Sequence, residues 1–150
     1  MNAPSPVAAL AIADIGDADI EAVIALWQRC GLTRPWNDPA SDIALAQRNQ
    51  NSTVLVGRAG GTIVATAMVG HDGHRGWVYY VAVDPDCQKK GFGRAIMDAA
   101  EAWLRAAGLP KLQLLVRREN AKANAFYQSI GYEEADTIVF AKWIDGRETF

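Results

Sequence analysis

Cysteine is scarce in this chain of 150 residues: Cys30 and Cys87 are the only two. They offer neither a metal-binding spacing nor a disulfide framework, which points to a reducing compartment. An excess of one charge is missing too. Fifteen lysines and arginines against seventeen acidic residues leave a formal charge of −2, so a general electrostatic grip on nucleic acid is excluded. No apolar run approaches the ~18–20 residues of a membrane span. Met1 to Ala13 carries no positive charge, and Asp14 follows at once, so it does not read as a secretory leader. Internal repeats, low-complexity tracts and linkers are also missing, and residues 1–150 therefore read as one domain. These absences predict a cytoplasmic protein with no nucleic-acid, membrane or metal partner.

What is present is periodic. Val7 to Ile12 reads as a first strand, weakened by its alanines. Ile20, Val23, Ile24 and Trp27 recur at helical spacing after Asp17, an N-cap residue type, and Gly31 closes that helix. Asp38-Pro39 opens a second helix through about Arg48. Thr53 to Ala59 and Thr62 to Val69 are β-branched and apolar, joined by the hairpin signal Gly60-Gly61. A polar loop, His71 to Gly76, leads to Trp77–Val83, a continuous apolar run expected of a central strand covered on both faces. A strong helix follows from Phe92 to Ala107 and stops at Gly108-Leu109-Pro110. Leu112–Val116 is a short strand, Ala121–Ile130 a helix ending at Gly131, and Thr137–Trp143 a last strand. The order β-α-α-β-β-β-α-β-α-β predicts an α/β (α+β) domain, a mixed sheet with helices on both faces.

Between the apolar strand and the strong helix lies Gln88-Lys89-Lys90-Gly91-Phe92-Gly93-Arg94. A pyrophosphate suits such a place. A helix amino terminus offers unpaired N–H groups and a positive dipole end. Glycines at 91 and 93 remove Cβ atoms that would hold phosphate oxygens away. Lys89, Lys90 and Arg94 supply charge, and Gln88 can donate from its amide. The plain alternative is a strand-to-helix turn with solvated lysines. A nucleotide P-loop is excluded because no Gly-Lys-Ser/Thr follows. A dinucleotide fingerprint is incomplete, since Ile96 stands where its third glycine belongs.

The stretch VAVDPDCQKKGFGRAIMDAAEAWL resembles the acyl-CoA signature of the GCN5-related N-acetyltransferase (GNAT) superfamily, Q/R-x-x-G-x-G/A after a strand ending in V-x-P. LQLLVRRENAKANAFYQSIGYEE is similar to that superfamily's N-x-x-A-x-x-F-Y helix and the strand before it. The earlier W-x-x-C-G-L-T-R-P-W-N-D segment resembles a small bacterial subfamily of general acetyltransferases, related to the ribosomal-protein alanine acetyltransferases. The resemblance implies a mostly antiparallel sheet of six to seven strands. It implies acetyl-CoA as acetyl-donor cosubstrate and direct transfer to a primary amine, on a small molecule or on a protein or peptide N-terminus. A homodimer is left open.

Carried over residue by residue, the resemblance places the pantetheine arm along Val81, Ala82 and Val83. There the sheet should splay from Leu112–Val116, and a bulge would free an N–H for the thioester oxygen. The pyrophosphate would meet the amides from Gln88 through Arg94. Asn120, Ala123 and Phe126 would line the cofactor, although Asn120 also reads as an N-cap. Tyr127 matches the tyrosine beside the departing sulfur, and a neutral phenol, pKa ~10, can donate a hydrogen bond to a thiolate at pH 7. The loop Leu32–Asp38 is the expected acceptor region, with Arg34, Trp36, Asn37 and Asp38, together with Tyr79 on the strand. A hydrophobic plug and helix caps are the structural alternative for that loop.

The chain departs from the family at the general base. Tyr79 and Leu115 stand where relatives carry a glutamate. Ordered water, Asp38, Asp72, His71 and His74 remain as candidates. Freeing a lysine-type amine costs ~4.6 kcal/mol at pH 7, an α-amine only ~1–1.4 kcal/mol, so the gap favours a low-pKa amine. The missing glutamates leave a second reading open, a non-catalytic acyl-CoA-binding or sensing domain.

Overall fold

Gly60 and Gly61 adopt φ of +58° and +84°, the backbone that a two-residue hairpin turn demands and that glycine enters without a Cβ penalty. They join β2 (Ser52–Ala59) to β3 (Thr62–His71). The computed structural model describes residues 9–148 and divides into two units, Met1–Leu114 and Leu115–Phe150. In the first unit β1 (Ala11–Asp14) and β4 (Gly76–Val83) flank that hairpin antiparallel, and β5 (Leu112–Leu114) joins β4 in parallel. The sheet order is β1-β2-β3-β4-β5.

β1 begins later than the sequence suggests, and Val7 and Ala8 lie outside the described residues. Ile12 pairs with Gly57, and Leu10 Cδ2 lies 2.7 Å from where a Cβ on Gly57 would be. The bare glycine backbone is what makes room for the leucine.

Helices cover both faces of this sheet. α1 (Ile20–Arg29) and α2 (Pro39–Arg48) bury Val23, Leu26, Trp27, Ile43 and Ala46 against Val54, Val56 and Ala82. α1 follows a 3-10 turn over Asp17–Asp19 instead of a cap by Asp17. Asp19 anchors that turn, accepting from the Gly16 N–H at 2.9 Å and pairing with Arg58. α3 (Phe92–Ala106) lies on the other face and buries Phe92, Ile96, Met97, Ala100 and Leu104. A Cβ on Gly76 would stand 2.3 Å from Leu104 Cδ1, so glycine permits this close strand–helix approach. Met97 is buried, while Trp103 is only half-buried and Ala107 is exposed. The buried stripe is therefore narrower than the expected one.

The second unit holds α4 (Ala121–Ser129), and no strand follows it among the described residues. The strand expected over Thr137–Trp143 is absent, with Ile138 74% and Phe140 89% exposed. Strand propensity marks side chains suited to a pleated surface and does not supply a neighbour to pair with. The sheet has five strands, one or two fewer than expected.

Candidate functional site

β4 carries an extra residue. Met68 pairs with Tyr79 and Thr66 with Ala82, so Tyr80 and Val81 together face Ala67 alone. Tyr80 takes up the irregularity with φ +51°, a left-handed backbone costing a non-glycine residue roughly 1–2 kcal/mol. Its neighbours hold it there. The Tyr80 ring stacks on Trp27 with centroids 3.8 Å apart and planes 7° from parallel. The Tyr80 hydroxyl donates to Asp42 Oδ2 at 2.7 Å, and its carbonyl accepts from Thr66 Oγ1 at 2.9 Å. Burial and the Asp42 carboxylate push the Tyr80 phenol far above its ordinary pKa, so it stays protonated. The β4–β5 ladder ends at Val78–Leu114, and among the described residues no β5 residue pairs with Tyr79 through Val83. The bulge expected on this strand is present, and the ladder to β5 ends before it.

Past Val83 the chain forms a short 3-10 turn, Pro85–Cys87, under Asp84. The Asp84 carboxylate accepts from the Asp86 N–H and pairs with Arg29 at 2.9 Å, which hold it below the usual aspartate range. Lys89 (φ +63°) and Gly91 (φ +79°) are both left-handed, and Gly91 is the N-cap of α3 without a side-chain cap bond. The first-turn amides of α3, at Phe92, Gly93 and Arg94, have no intrahelical acceptor by helix geometry. Lys89, Lys90 and Arg94 are exposed around them, whereas Phe92 is buried and anchors the turn in the core. Gln88 differs from expectation. Its side-chain amide donates to the Val83 carbonyl at 3.1 Å, an oxygen that also accepts from Cys30 Sγ at 3.3 Å. Gln88 thus braces the loop from inside, and Val83 O is already engaged. Burial, then the Asp84 charge, raises the Cys30 thiol above its ordinary pKa, the opposite of an activated nucleophile.

A cavity of about 620 Å3 opens between α2 and the β3–β4 hairpin, lined in part by Asn37, Asp42, Leu45, Met68, Tyr79 and Tyr80. The bulge shapes it. Strict alternation would send Tyr79 and Tyr80 to opposite faces, but the extra residue turns both towards α2, and Tyr79 is 48% exposed. The run Trp77–Val83 is therefore not covered on both faces at this point. Of the acceptor candidates, Asn37 and Tyr79 line the cavity. Arg34 instead donates to the carbonyls of Gly31 and Thr33 at 2.8 and 3.0 Å, closing the end of α1. Trp36 is half-buried and is not among the lining residues. Asp38 caps α2 through the Ala40 and Ser41 amides and the Ser41 hydroxyl, and these bonds lower its pKa. Asp72 lines the cavity, but its carboxylate accepts from the His74 and Arg75 amides and is likewise held low. His71 Nδ1 accepts from the Gly73 N–H at 3.1 Å. Asp42 escaped the sequence reading. Its signal was its position one helical turn after the cap Asp38, on the same face of α2.

In the second unit Asn120 caps α4, its side chain accepting from the Ala123 N–H at 3.1 Å. Tyr127 packs edge-on against Phe126 and Tyr132, with centroids 5.0 and 6.0 Å away. Burial pushes its phenol up to about 12, so at neutral pH it is a hydrogen-bond donor.

Comparison with known proteins agrees with this geometry. The family model described as the acetyltransferase (GNAT) family matches residues 20–132. An acetyltransferase of Yersinia pestis (strain Pestoides F) is 44% identical over 124 residues, covering 83% of this chain and 88% of the relative. The solved ribosomal-protein-S18-alanine N-acetyltransferase of Escherichia coli superposes with a TM-score of 0.70 at 26% identity, covering 85% of this chain and 79% of that one. The aminoglycoside N-acetyltransferase AAC(6')-Iy in complex with CoA shares the fold, with a TM-score of 0.77 at 15% identity over 91% of this chain and 95% of that one. No described helix is long and apolar enough to cross a membrane. The family model's match over residues 20–132 and the 44% identity to an acetyltransferase make this chain a member of the acetyltransferase (GNAT) family, an N-acetyltransferase.

Proposed function

We propose that the chain takes its acetyl group from acetyl-CoA and passes it directly to a primary amine seated in the cavity between α2 and β4. The observation that carries this reading is the bulge at Tyr80–Val81 beside the end of the β4–β5 ladder. Unladdered backbone at that point suits the pantetheine amides, and the Val81 N–H suits the acyl oxygen, where a donor stabilises the tetrahedral intermediate. The amides of Phe92, Gly93 and Arg94, with Lys89 and Lys90, are the groups suited to the pyrophosphate. Related structures support a CoA donor, one of them having been solved with CoA.

The acceptor follows from the cavity's chemistry. Its charged lining residues are Asp42 and Asp72, with no lysine or arginine among them. Such a site favours a cationic amine and disfavours an acceptor with a carboxylate near its nitrogen. Leu45, Met68 and Tyr79 supply an apolar wall for the body of the molecule. With no glutamate at Tyr79 or Leu115, the amine is one that loses its proton readily, an α-amine of a peptide or another small amine of low pKa. Asn120 is our candidate for a contact to the pantetheine, Ala123 and Phe126 for lining the cofactor, and Tyr127 for donating to the departing thiolate. These roles belong to a single domain over 1–150 working in the cytoplasm, where free Cys30 and Cys87 stay reduced. The test is release of free thiol from acetyl-CoA in the presence of an alanyl peptide amide, an aminoglycoside and a polyamine. Acetylated product with any of them supports the reading. Acetyl-CoA binding without product from a broad amine panel would favour the sensing domain instead.

A further inference from the structure

Thr66 is the one polar side chain fully buried among the described residues, on β3 opposite the bulge. Both of its hydrogen-bonding capacities are in use. Its Oγ1 accepts from Trp27 Nε1 at 2.8 Å and donates to the Tyr80 carbonyl at 2.9 Å. That carbonyl belongs to the same peptide unit as the Val81 N–H. The described residues contain no cis peptide bonds, so the two groups lie in one plane and point opposite ways, and holding the oxygen holds the N–H. Tyr80 would not keep its left-handed backbone unaided. Thr66 grips its carbonyl, while Trp27 and Asp42 grip its ring and hydroxyl.

We infer that Thr66 is a positioning residue for acetyl transfer: by pinning the Tyr80 carbonyl it aims the Val81 N–H at the acyl oxygen. This rests on the proposed reading of the bulge and adds the side chain that sets its direction. A purely structural Thr66 would serve only to satisfy the Trp27 indole, and three variants separate the roles. Thr66→Val keeps the shape and removes the hydroxyl. Thr66→Ser restores it. Trp27→Phe removes the indole N–H but keeps an aromatic ring to stack on Tyr80, and leaves Thr66 to hold the Tyr80 carbonyl.

The assay is thiol release from acetyl-CoA with an alanyl peptide amide, run well below each variant's melting temperature. Thr66→Val should lower kcat by ~10²-fold, the scale of losing one oxyanion donor, with KM for acetyl-CoA within about twofold. Thr66→Ser and Trp27→Phe should stay within about fivefold of the parent. Should Thr66→Val not fold, Thr66→Cys, whose thiol is a weak donor, takes its place and should lose at least ~10-fold in kcat. An unchanged kcat in the valine or cysteine variant, beside an active parent, overturns the inference and leaves the reaction standing. Equal losses in Thr66→Val and Trp27→Phe also overturn it, since indole satisfaction would then explain both. A parent protein that releases no thiol with the alanyl peptide amide, an aminoglycoside or a polyamine overturns the reaction and this inference together.

Discussion

Tyr127→Phe removes one hydroxyl and keeps the ring that packs against Phe126 and Tyr132. Stability should therefore move little. The chemical effect follows from the raised phenol pKa of about 12. A thiol leaves with a pKa of ~8.5, so complete proton transfer from Tyr127 would be uphill by ~5 kcal/mol. The role proposed for Tyr127 is accordingly a hydrogen bond to the developing thiolate and not a full proton transfer. A hydrogen bond to a charged group is worth ~1.5–3 kcal/mol, and its loss should lower kcat by ~10- to 150-fold. KM for acetyl-CoA should barely change, because the thioester sulfur carries little charge before the bond breaks. The sign of the pH dependence also follows. The donating form is present below the raised pKa and is lost only as pH rises through about 12, so Tyr127 should impose no fall in kcat up to pH ~10. Steady-state kinetics of both proteins from pH 7 to 10, with one amine held saturating, would measure this. A raised KM with kcat preserved would refute the reasoning and make Tyr127 a wall of the cofactor site. A basic limb near pH 9 that disappears in Tyr127→Phe would refute the pKa argument.

The proposed phosphate loop and the packing give further tests. Gly91→Glu should weaken acetyl-CoA binding by at least ~100-fold in calorimetry. Gly91→Ala isolates the backbone strain of φ +79°, about 1 kcal/mol, and should cost far less affinity. Because Lys89, Lys90 and Arg94 are exposed, raising salt from 50 to 500 mM should weaken acetyl-CoA binding, and Lys90→Ala should flatten that dependence. Gly76→Ala would drive a Cβ to 2.3 Å from Leu104 and should destabilise the fold by ~1–3 kcal/mol, read as a lower urea midpoint. The Asp84 carboxyl is held low, so its contribution to stability is present above its unfolded pKa, near 4, and is lost as pH falls below that. Asp84→Asn should flatten the acid limb of a denaturation series.

The parts of this protein that were legible in sequence are those written in local chemistry. Gly60-Gly61 announced its hairpin, Asp38-Pro39 the start of α2, and Gly91 the start of α3, because each depends on a few adjacent residues. The bulge was legible only through family resemblance. A period of two cannot reveal where one residue too many has been inserted, so Tyr79 and Tyr80 could not be seen to share a face. Asp42 and Thr66 were hidden for a related reason. Each looks like an ordinary helix or strand residue until Tyr80 is seen to bond with it, across the neighbouring strand for Thr66 and from a distant element for Asp42. Gln88 had the right chemistry for phosphate, but the nearby Val83 carbonyl accepts its amide. The segment Thr137–Trp143 has strand-forming side chains and no ladder partner among the described residues, and composition alone cannot distinguish those cases.

The most direct test of the account is a mass-spectrometric assay of the purified chain with acetyl-CoA and an alanyl peptide amide, run alongside thiol detection. N-acetylated peptide and free CoA are expected in equal amounts, accumulating with enzyme and time, and abolished by Gly91→Glu. Tight acetyl-CoA binding with neither product, across peptide, polyamine and aminoglycoside acceptors, would contradict it.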